Sequence, residues 1–357
     1  MKLGFLIGFL IFLSILYFSH LFVIYTINYV FAYEMTRISY LIPLFIISFF
    51  GIIVFTGKLI SDYFYSLMYT LMGIYLGYFL YIFQTSVIMN ILMSIFNIKK
   101  NFAIYLLFGV PFIICIYGIL NALKTNIIRI KFKYPGYKKK INILHLSDIH
   151  LGAIHQKNSV IRICNEIIKL NPDIVVITGD MADGTLKVKQ EWLTPFDNLK
   201  MPILYITGNH EEMNPKKDMI NVVNKSCIKY IGKNEQFLFN DVNFIGVDFG
   251  YDLKKCLLNI EQKTGIPNVL LSHVPSLKPE ELAKYNIFLF LAGHTHGGQL
   301  FPFHILVYFA NACFAGLYSD CNKTHHVFVS EGVNNAVIPM RVGSSRVFAM
   351  ITIEGNE

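Results

Sequence analysis

Two histidines, His294 and His296, lie one residue apart in the segment LAGHTHGGQL at positions 291–300. The apolar run IFLFL at 287–291 leads into this segment. Such a run predicts a buried strand, so we expect both imidazoles at the point where a strand leaves its sheet. Neutral imidazole is the commonest protein ligand of transition-metal ions. The pair is therefore a candidate for metal binding.

Four further apolar runs also end in polar side chains. They are INILHLSDIH at 141–150, DIVVITGD at 173–180, PILYITGNH at 202–210 and NVLLSHV at 268–274. Apolar residues at helical spacing predict a helix over 158–170, which ends before Asn171-Pro172. Strands that alternate with helices indicate a layered α/β domain. In such a domain we expect the polar tails to meet at the carboxyl ends of the strands, where ligands bind.

These strand ends carry eight side chains that suit divalent cations. They are Asp148, His150, Asp180, Asn209, His210, His273, His294 and His296. Taken singly, Asp-x-His, Gly-Asp or Gly-Asn after a strand is ordinary turn chemistry. Their occurrence at five strand ends favours a metal centre for manganese, iron or zinc instead. Two ions about 3.5 to 4 Å apart would clamp both the attacking and the leaving oxygen of a phosphoryl displacement.

The order of the motifs DIH, GD, GNHE, H and GHTH resembles the calcineurin-like metallophosphoesterases, and the resemblance covers about 141–353. Later blocks are similar to the membrane-associated phosphodiesterase branch of that family: GGQ at 297–299, AGLYSD at 315–320, VFVSEGV at 327–333 and PMRVG at 339–343. The resemblance implies an α/β fold in the form of a four-layer αββα sandwich with two central mixed sheets. It also implies metal-dependent hydrolysis of a phosphoric ester or pyrophosphate bond.

The resemblance assigns a role to each of the eight side chains. The first cation is held by Asp148, His150 and His296. The second cation is held by Asn209, His273 and His294. Asp180 bridges the two cations. We expect two divalent ions, manganese before others, although iron, zinc and nickel suit the same ligands.

His210 has no metal in this assignment. An imidazole next to the metals suits a general acid that protonates the leaving oxygen, or a group that stabilises charge on the phosphoryl oxygens. Glu211 either orients His210 or is a solvated carboxylate. The sequence assigns no substrate-binding residue.

The composition indicates that part of the chain lies in a membrane. Of the 357 residues, 54% are hydrophobic and 15% are charged, which is more apolar than an ordinary soluble domain. Long apolar runs predict four spans, near 3–31, 39–57, 64–92 and 102–122. We therefore predict an all-α transmembrane region at 1–123, a basic juxtamembrane linker at 124–140 and a catalytic domain at 141–357. The cysteines form no CxxC pair, which favours reduced thiols.

An even number of spans places both termini on one side of the membrane, and the basic residues of 124–140 mark that side as cytoplasmic. We predict a multi-pass protein of the inner (cytoplasmic) membrane, with its catalytic domain in the cytoplasm. If 64–98 does not form a single span, an odd count would place that domain outside. The positive charges cluster beside the membrane, which favours contact with lipid head groups over nucleic acid. The sequence indicates no protein partner.

The segment LFPFHILVYFANACF at 300–314 has no charged residue and follows two candidate ligands. It forms either an exposed apolar wall beside the metals, which would suit a lipid, or buried strands. Our leading hypothesis is a lipid-linked phosphate substrate, because the resemblance extends to membrane enzymes of lipid A synthesis. These split UDP-2,3-diacylglucosamine into 2,3-diacylglucosamine 1-phosphate and UMP. The alternatives are a general membrane-anchored phosphodiesterase acting on another lipid or nucleotide, and a membrane-anchored binding or scaffold protein.

Overall fold

The computed structural model describes residues 2–32, 36–56, 60–96, 98–213 and 216–355. The chain divides into two compact units, Met1–Ile119 and Leu120–Glu357. Residue 57, at the end of the second predicted span, and residues 356–357 of the predicted catalytic domain lie outside the described ranges.

The N-terminal part of the chain is helical. Its helices are α1 (Lys2–Phe31), α2 (Arg37–Thr56), α3 (Asp62–Ile95), α4 (Lys100–Ile104) and α5 (Val110–Leu123), with a π-helical turn at Tyr105–Gly109. Three segments within the described ranges are long and apolar enough to cross a membrane: Leu10–Phe31, Asp62–Ile95 and Phe102–Leu123. Arg37–Ile53 is a shorter apolar helix. Three of the predicted spans are therefore long apolar helices, and the count of four stays a prediction.

The second unit contains two six-stranded mixed sheets, as predicted. The strands of the first sheet, in spatial order, are β1 (Thr125–Tyr134), β12 (Arg346–Gly355), β2 (Lys140–Leu146), β3 (Ile174–Thr178), β4 (Ile203–Ile206) and β5 (Ile228–Tyr230). Those of the second are β10 (Gly316–Ser319), β11 (His326–Val329), β9 (Leu289–Ala292), β8 (Asn268–Ser272), β7 (Val242–Val247) and β6 (Gln236–Phe239). Strands β2 to β5 are parallel, as are β7, β8, β9 and β11.

Six helices connect or follow these strands. They are α6 (Lys157–Leu170), α7 (Gln190–Leu193), α8 (Lys216–Val223), α9 (Leu253–Leu258), α10 (Pro279–Leu282) and α11 (Phe303–Ala310). Helix α6 is the helix predicted over 158–170. It ends at Asn171, whose left-handed φ of 46° lets its N–H bond to the carbonyl of Ile167.

The hydrophobic core lies between the two sheets. Ile143 and Val176 of the first sheet belong to the same buried cluster as Phe244 and Leu271 of the second. The neighbouring residue Leu270 belongs to another cluster, in which Leu257 of α9 and Leu282 of α10 cover the outer face of the second sheet. This alternation follows from the two-residue period of a strand. Two sheets and one helical layer are thereby visible, and the fourth layer stays a prediction.

All five strands that the sequence predicts are present as β2, β3, β4, β8 and β9. They belong to two different sheets, and each ends just before candidate ligands. Four of them, β3, β4, β8 and β9, are buried at every residue, as expected for parallel strands whose two faces are both covered by other layers. The sheets therefore provide a rigid base from which the five loops emerge.

Part of the predicted basic linker at 124–140 is a strand. Residues Thr125–Tyr134 form β1, which pairs in parallel with β12 along its whole length. In the sequence NIIRIKFKY, basic residues alternate with apolar ones, the pattern of a half-buried strand. Phe132 is 6% exposed, and the centroid of its ring is 5.7 Å from that of Phe288. The positive charges of this segment thus occupy one face of an edge strand.

Candidate metal centre

The structure brings all eight predicted side chains together where the five strands end. Asp148 and His150 follow β2, Asp180 follows β3, and Asn209 and His210 follow β4. His273 follows β8 directly, and His294 and His296 follow β9. The first sheet thus contributes five of these side chains and the second sheet contributes three. The centre exists because the two sheets pack with these ends side by side.

Asp148, His150 and His296 form one group of possible ligands. The Nε2 atoms of His150 and His296 are 3.0 Å apart, and Nε2 of His296 is 3.3 Å from Oδ1 of Asp148. All three residues are buried. Their donor atoms lie within 4.8 Å of one another, as a shared cation requires.

Asn209, His273 and His294 form the other predicted group. Oδ1 of Asn209 is 3.0 Å from Nε2 of His273 and 2.8 Å from Nδ1 of His294. Nδ1 of His273 faces the carbonyl oxygen of Thr178 at 2.9 Å, so it must donate its hydrogen there. This bond directs Nε2 of His273 toward the centre, and it is the kind of outer contact that fixes the orientation of a metal-binding imidazole.

Asp180 lies between the two groups. Its Oδ2 is 3.1 Å from Nε2 of His273 and 3.9 Å from Nε2 of His150. The same oxygen is 3.9 Å from Nε2 of His210, so His150, Asp180 and His210 form a further possible ligand group. The position of Asp180 is the one that a bridging carboxylate requires.

The backbone adopts left-handed conformations at five of the predicted ligands. Their φ angles are 58° at Asp148, 49° at His150, 51° at Asp180, 72° at His294 and 50° at His296. Such angles are rare outside glycine, and where they cluster they usually mark functional sites. Hydrogen bonds between loops hold them: His150 donates its N–H to Asp180 at 2.9 Å, and Gly293 donates to His273 at 2.9 Å.

Two glycines are required because side chains approach them closely. A Cβ atom at Gly208 would overlap the carboxylate of Asp180, and one at Gly293 would overlap Ser147 and crowd Asp148. The Gly-Asn and Gly-His sequences after β4 and β9 therefore serve close packing around the two carboxylates.

Burial keeps three of the imidazoles neutral. It lowers the pKa of His150 and of His296 well below the ordinary value, and it lowers the pKa of His294 to about 4. Neutral imidazoles have a free lone pair at pH 7, which binding of a cation requires. Asn209, His210 and His294 are only partly buried, so the centre is open on their side.

The imidazole of His273 has only hydrogen-bond acceptors around it. Burial would lower the pKa of His273, but attraction by the Asp180 carboxylate prevails and raises it to about 10. Burial likewise opposes ionisation of Asp180, and His273 nevertheless holds the pKa of Asp180 well below its usual range. Nε2 of His273 lies between Oδ2 of Asp180 and Oδ1 of Asn209, neither of which can donate a hydrogen. A positive charge is needed at this point, and a proton or a metal ion supplies it.

His210 is oriented by a backbone group that the sequence could not reveal. Its Nδ1 is 2.9 Å from the carbonyl oxygen of Asp183, so Nδ1 donates its hydrogen and Nε2 faces the centre. Its backbone N–H bonds to Oδ1 of Asp180 at 2.9 Å. Because any residue at position 183 supplies a carbonyl, no side-chain pattern indicates this contact.

Glu211 matches neither of its expected roles. It is 1% exposed, which excludes a solvated carboxylate, and its bonds are not to the imidazole of His210. Its carboxylate accepts the backbone N–H groups of Asp180 at 3.1 Å, Ala182 at 2.8 Å and Gly208 at 2.6 Å. Glu211 therefore fixes the loops after β3 and β4, and it acts on the centre through the backbone.

Arg341, in the PMRVG block, has a structural role. It is fully buried, and its guanidinium donates to the carbonyl oxygens of Asn334 at 2.6 Å and His296 at 3.4 Å. These bonds stabilise the backbone of the loop that carries His296.

Residues 141–298 match the family model described as calcineurin-like phosphoesterase. An uncharacterized metallophosphoesterase of Helicobacter pylori is 32% identical over 214 residues, which cover 57% of this chain and 57% of that protein. A transmembrane protein with metallophosphoesterase domain from Danio rerio is 28% identical over 68% of this chain and 60% of its own length. The chain thus spans less than two thirds of either relative.

A solved structure, a dimetal phosphatase from Danio rerio, is 12% identical and covers 56% of this chain and 88% of its own. Its TM-score of 0.35 is too low to carry any argument about this chain.

Replacement of Glu211 by glutamine should lower the free energy of unfolding by about 2 to 3 kcal/mol, because the new amide donor faces backbone N–H groups that need an acceptor. Urea unfolding in detergent, followed by the fluorescence of the single tryptophan, Trp192, measures this change. The control is Glu212→Gln, whose side chain is 46% exposed, with an expected change within about 0.5 kcal/mol. Equal effects of the two substitutions would refute the proposed role of Glu211.

Replacement of Asp180 by asparagine keeps the size of the side chain and removes its charge from between the two groups. We expect the affinity for Mn²⁺ to fall by at least about a hundredfold. Loss of a group that only orients a metal ligand already lowers metal affinity by up to about that factor, and loss of a ligand should cost more. Equilibrium dialysis with metal analysis gives the affinity, and Asp218→Asn, a 46% exposed carboxylate paired with Lys187, is the matched control. Unchanged metal content in Asp180→Asn would contradict a bridging role.

Proposed function

We propose that the protein hydrolyses a phosphoester or pyrophosphate bond with two divalent cations, because residues 141–298 match the calcineurin-like phosphoesterase family model. The observation that carries the proposal is the convergence of carboxylate, amide and imidazole ligand atoms on both sides of Asp180. Few structural roles would gather so many acceptors at one buried point, because unpaired acceptors are costly there.

The proposed ligands fit such cations in their chemistry. Asp148, His150 and His296 would hold the first ion. Asn209, His273 and His294 would hold the second, and Asp180 would contact both. When bound, divalent cations lower the pKa of water and offset the charge that develops on phosphoryl oxygens. Manganese is our first candidate, and iron, zinc and nickel suit the same donors.

His210 is the proposed general acid. The bond from its Nδ1 to the carbonyl of Asp183 leaves Nε2 free to carry a proton toward the open side of the centre. The side chain is 18% exposed, enough for contact with a substrate. Oδ2 of Asp180 lies 3.9 Å from this Nε2. When it carries a proton, His210 can give it to the leaving oxygen.

The proposed substrate is a lipid-linked phosphate. Support comes from the segment 300–314, in which α11 exposes large apolar side chains a few residues after His296. UDP-2,3-diacylglucosamine, split into 2,3-diacylglucosamine 1-phosphate and UMP, combines a pyrophosphate bond with two acyl chains and is the substrate that we propose first. The basic residues around β1 support a location at the inner membrane with the catalytic domain in the cytoplasm.

Two other functions predict different results. A general membrane-anchored phosphodiesterase, acting on another lipid or nucleotide, would turn over small phosphodiesters with little preference for acyl chains. A binding or scaffold protein would hold metal without turnover. The open, partly exposed side at Asn209, His210 and His294 favours an enzyme over a scaffold, because a substrate can reach it.

Replacement of His210 by alanine should lower kcat by about 10²- to 10⁴-fold for a phosphodiester with an alkoxide leaving group, which needs a proton as it departs. Metal content should stay at the wild-type level. His325→Ala is the control, since that imidazole donates to the carbonyl of Ile287 at 2.6 Å, away from the eight residues of the centre. Unchanged kcat would reject His210 as the acid, whereas lost metal would identify it as a ligand.

Detergent-purified protein with Mn²⁺ should release UMP from UDP-2,3-diacylglucosamine. Removal of the acyl chains should lower kcat/KM by about a hundredfold or more, because binding energy from remote parts of a substrate contributes to the rate. Asp180→Ala serves as the inactive control. Cleavage of bis-p-nitrophenyl phosphate without release of UMP would reject this substrate and leave the hydrolase proposal intact.

A further inference from the structure

Helix α11 and the residues before it expose a concentration of apolar side chains. The exposed fractions are 53% for Phe301, 41% for Phe303, 55% for Ile305, 67% for Leu306, 59% for Tyr308 and 81% for Phe309. We call these six residues the α11 surface. No charged residue occurs anywhere in 300–314. Large exposed apolar patches of this kind mark contact with a protein, a ligand or a membrane.

The α11 surface is held firmly in place. Phe301 donates its N–H to the carbonyl of Val342 at 3.0 Å, and Val342 donates to Gln299 at 2.9 Å. The ring of His304, on the inner side of α11, lies so close to Gly343 that a Cβ atom there would meet it at 2.8 Å. These contacts attach α11 to the loop at 341–344.

The same loop is bonded to the end of a candidate membrane span. Nδ2 of Asn121, in the last turn of α5, donates to the carbonyl oxygens of Arg341 at 3.1 Å and Ser344 at 2.9 Å. Asn121 belongs to the candidate span Phe102–Leu123, two residues from its end. One short loop thus contacts both the last turn of this candidate span and the base of α11.

We propose that the α11 surface contacts the same bilayer that the N-terminal helices cross. The eight residues of α11 extend about 12 Å, far short of the roughly 30 Å of a hydrocarbon core, so the helix cannot span it. It lies in the interface, where aromatic and aliphatic side chains enter the boundary between head groups and acyl chains. The shared loop favours the bilayer as the occupant, because it joins the base of α11 to the last turn of a candidate span.

This contact gives the proposed centre a lipid-facing entrance. His294 and His296 precede α11 directly, and the turn at His296–Gly298 links them to it. An amphiphilic substrate could keep its acyl chains in the bilayer while its phosphate reaches the ligands. This last step rests on the proposed function, whereas the contact itself does not.

Tryptophan quenching in lipid nanodiscs tests the contact without any turnover. The full chain is reconstituted with phosphatidylcholine that carries bromine on its acyl chains, as wild type and as Phe309→Trp. The wild type reports the buried Trp192, which is 4% exposed and should stay unquenched. The emission that Trp at position 309 adds to that of Trp192 should fall by about a third or more in the brominated lipid, because an interfacial residue reaches the acyl boundary. The matched control is Leu258→Trp, at a position that is 74% exposed on α9, and it should not be quenched.

Absence of quenching in Phe309→Trp would overturn the proposal. A blue-shifted but unquenched emission would also overturn it, because it would show that a second copy of the chain or another protein covers α11. Equal quenching of Leu258→Trp would reject the α11 surface as a specific contact. Turnover of bis-p-nitrophenyl phosphate by the same discs tests the hydrolase proposal separately, so either proposal can fail alone.

Discussion

The buried carboxylate of Glu211 accepts three backbone N–H groups, from Gly208, Asp180 and Ala182, and the shape of the candidate centre depends on these bonds. Without that acceptor, two loops would each leave polar groups unpaired beneath the ligands, at a cost that no apolar contact offsets. The backbone of Asp180 and that of Gly208 are held against one another in this way. Close contact between them is in turn possible only because position 208 has no side chain.

A second constraint is the left-handed backbone at Asp148, His150, Asp180, His294 and His296. Each such residue costs free energy, and the regular sheets that end just before them compensate for it. The arrangement turns side chains sharply out of the strand direction, so residues two positions apart in sequence can face one point. Both sheets contribute, and the hydrophobic cluster between them fixes the distance from His273 to Asp180 as much as any local bond does.

Much of this arrangement could be predicted from the sequence, since continuous apolar runs followed by polar residues define β2, β3, β4, β8 and β9. Three features could not. An acidic residue beside His210 does not reveal that its partners are N–H groups of its own loop and of the loop after β3. In NIIRIKFKY the concentration of positive charge favours a basic linker, although the alternation of basic and apolar residues also matches the two-residue period of a strand. The segment at 300–314 is apolar at nearly every position, so neither helical nor strand periodicity distinguishes exposed α11 from the buried strands that were the alternative.

The order of strands in the first sheet has a consequence for synthesis. Strand β1 directly follows the last candidate span, but its partner is β12, which comes after every other described strand. While the ribosome makes the chain, β1 is therefore the earliest described strand of the second unit to emerge and the last to be paired. Residues Ile130 and Phe132 of β1 therefore have no paired strand beside them until β12 has been made. An unpaired edge of this kind is prone to aggregation and is the kind of surface that chaperones protect, and completion of β12 ends this exposure.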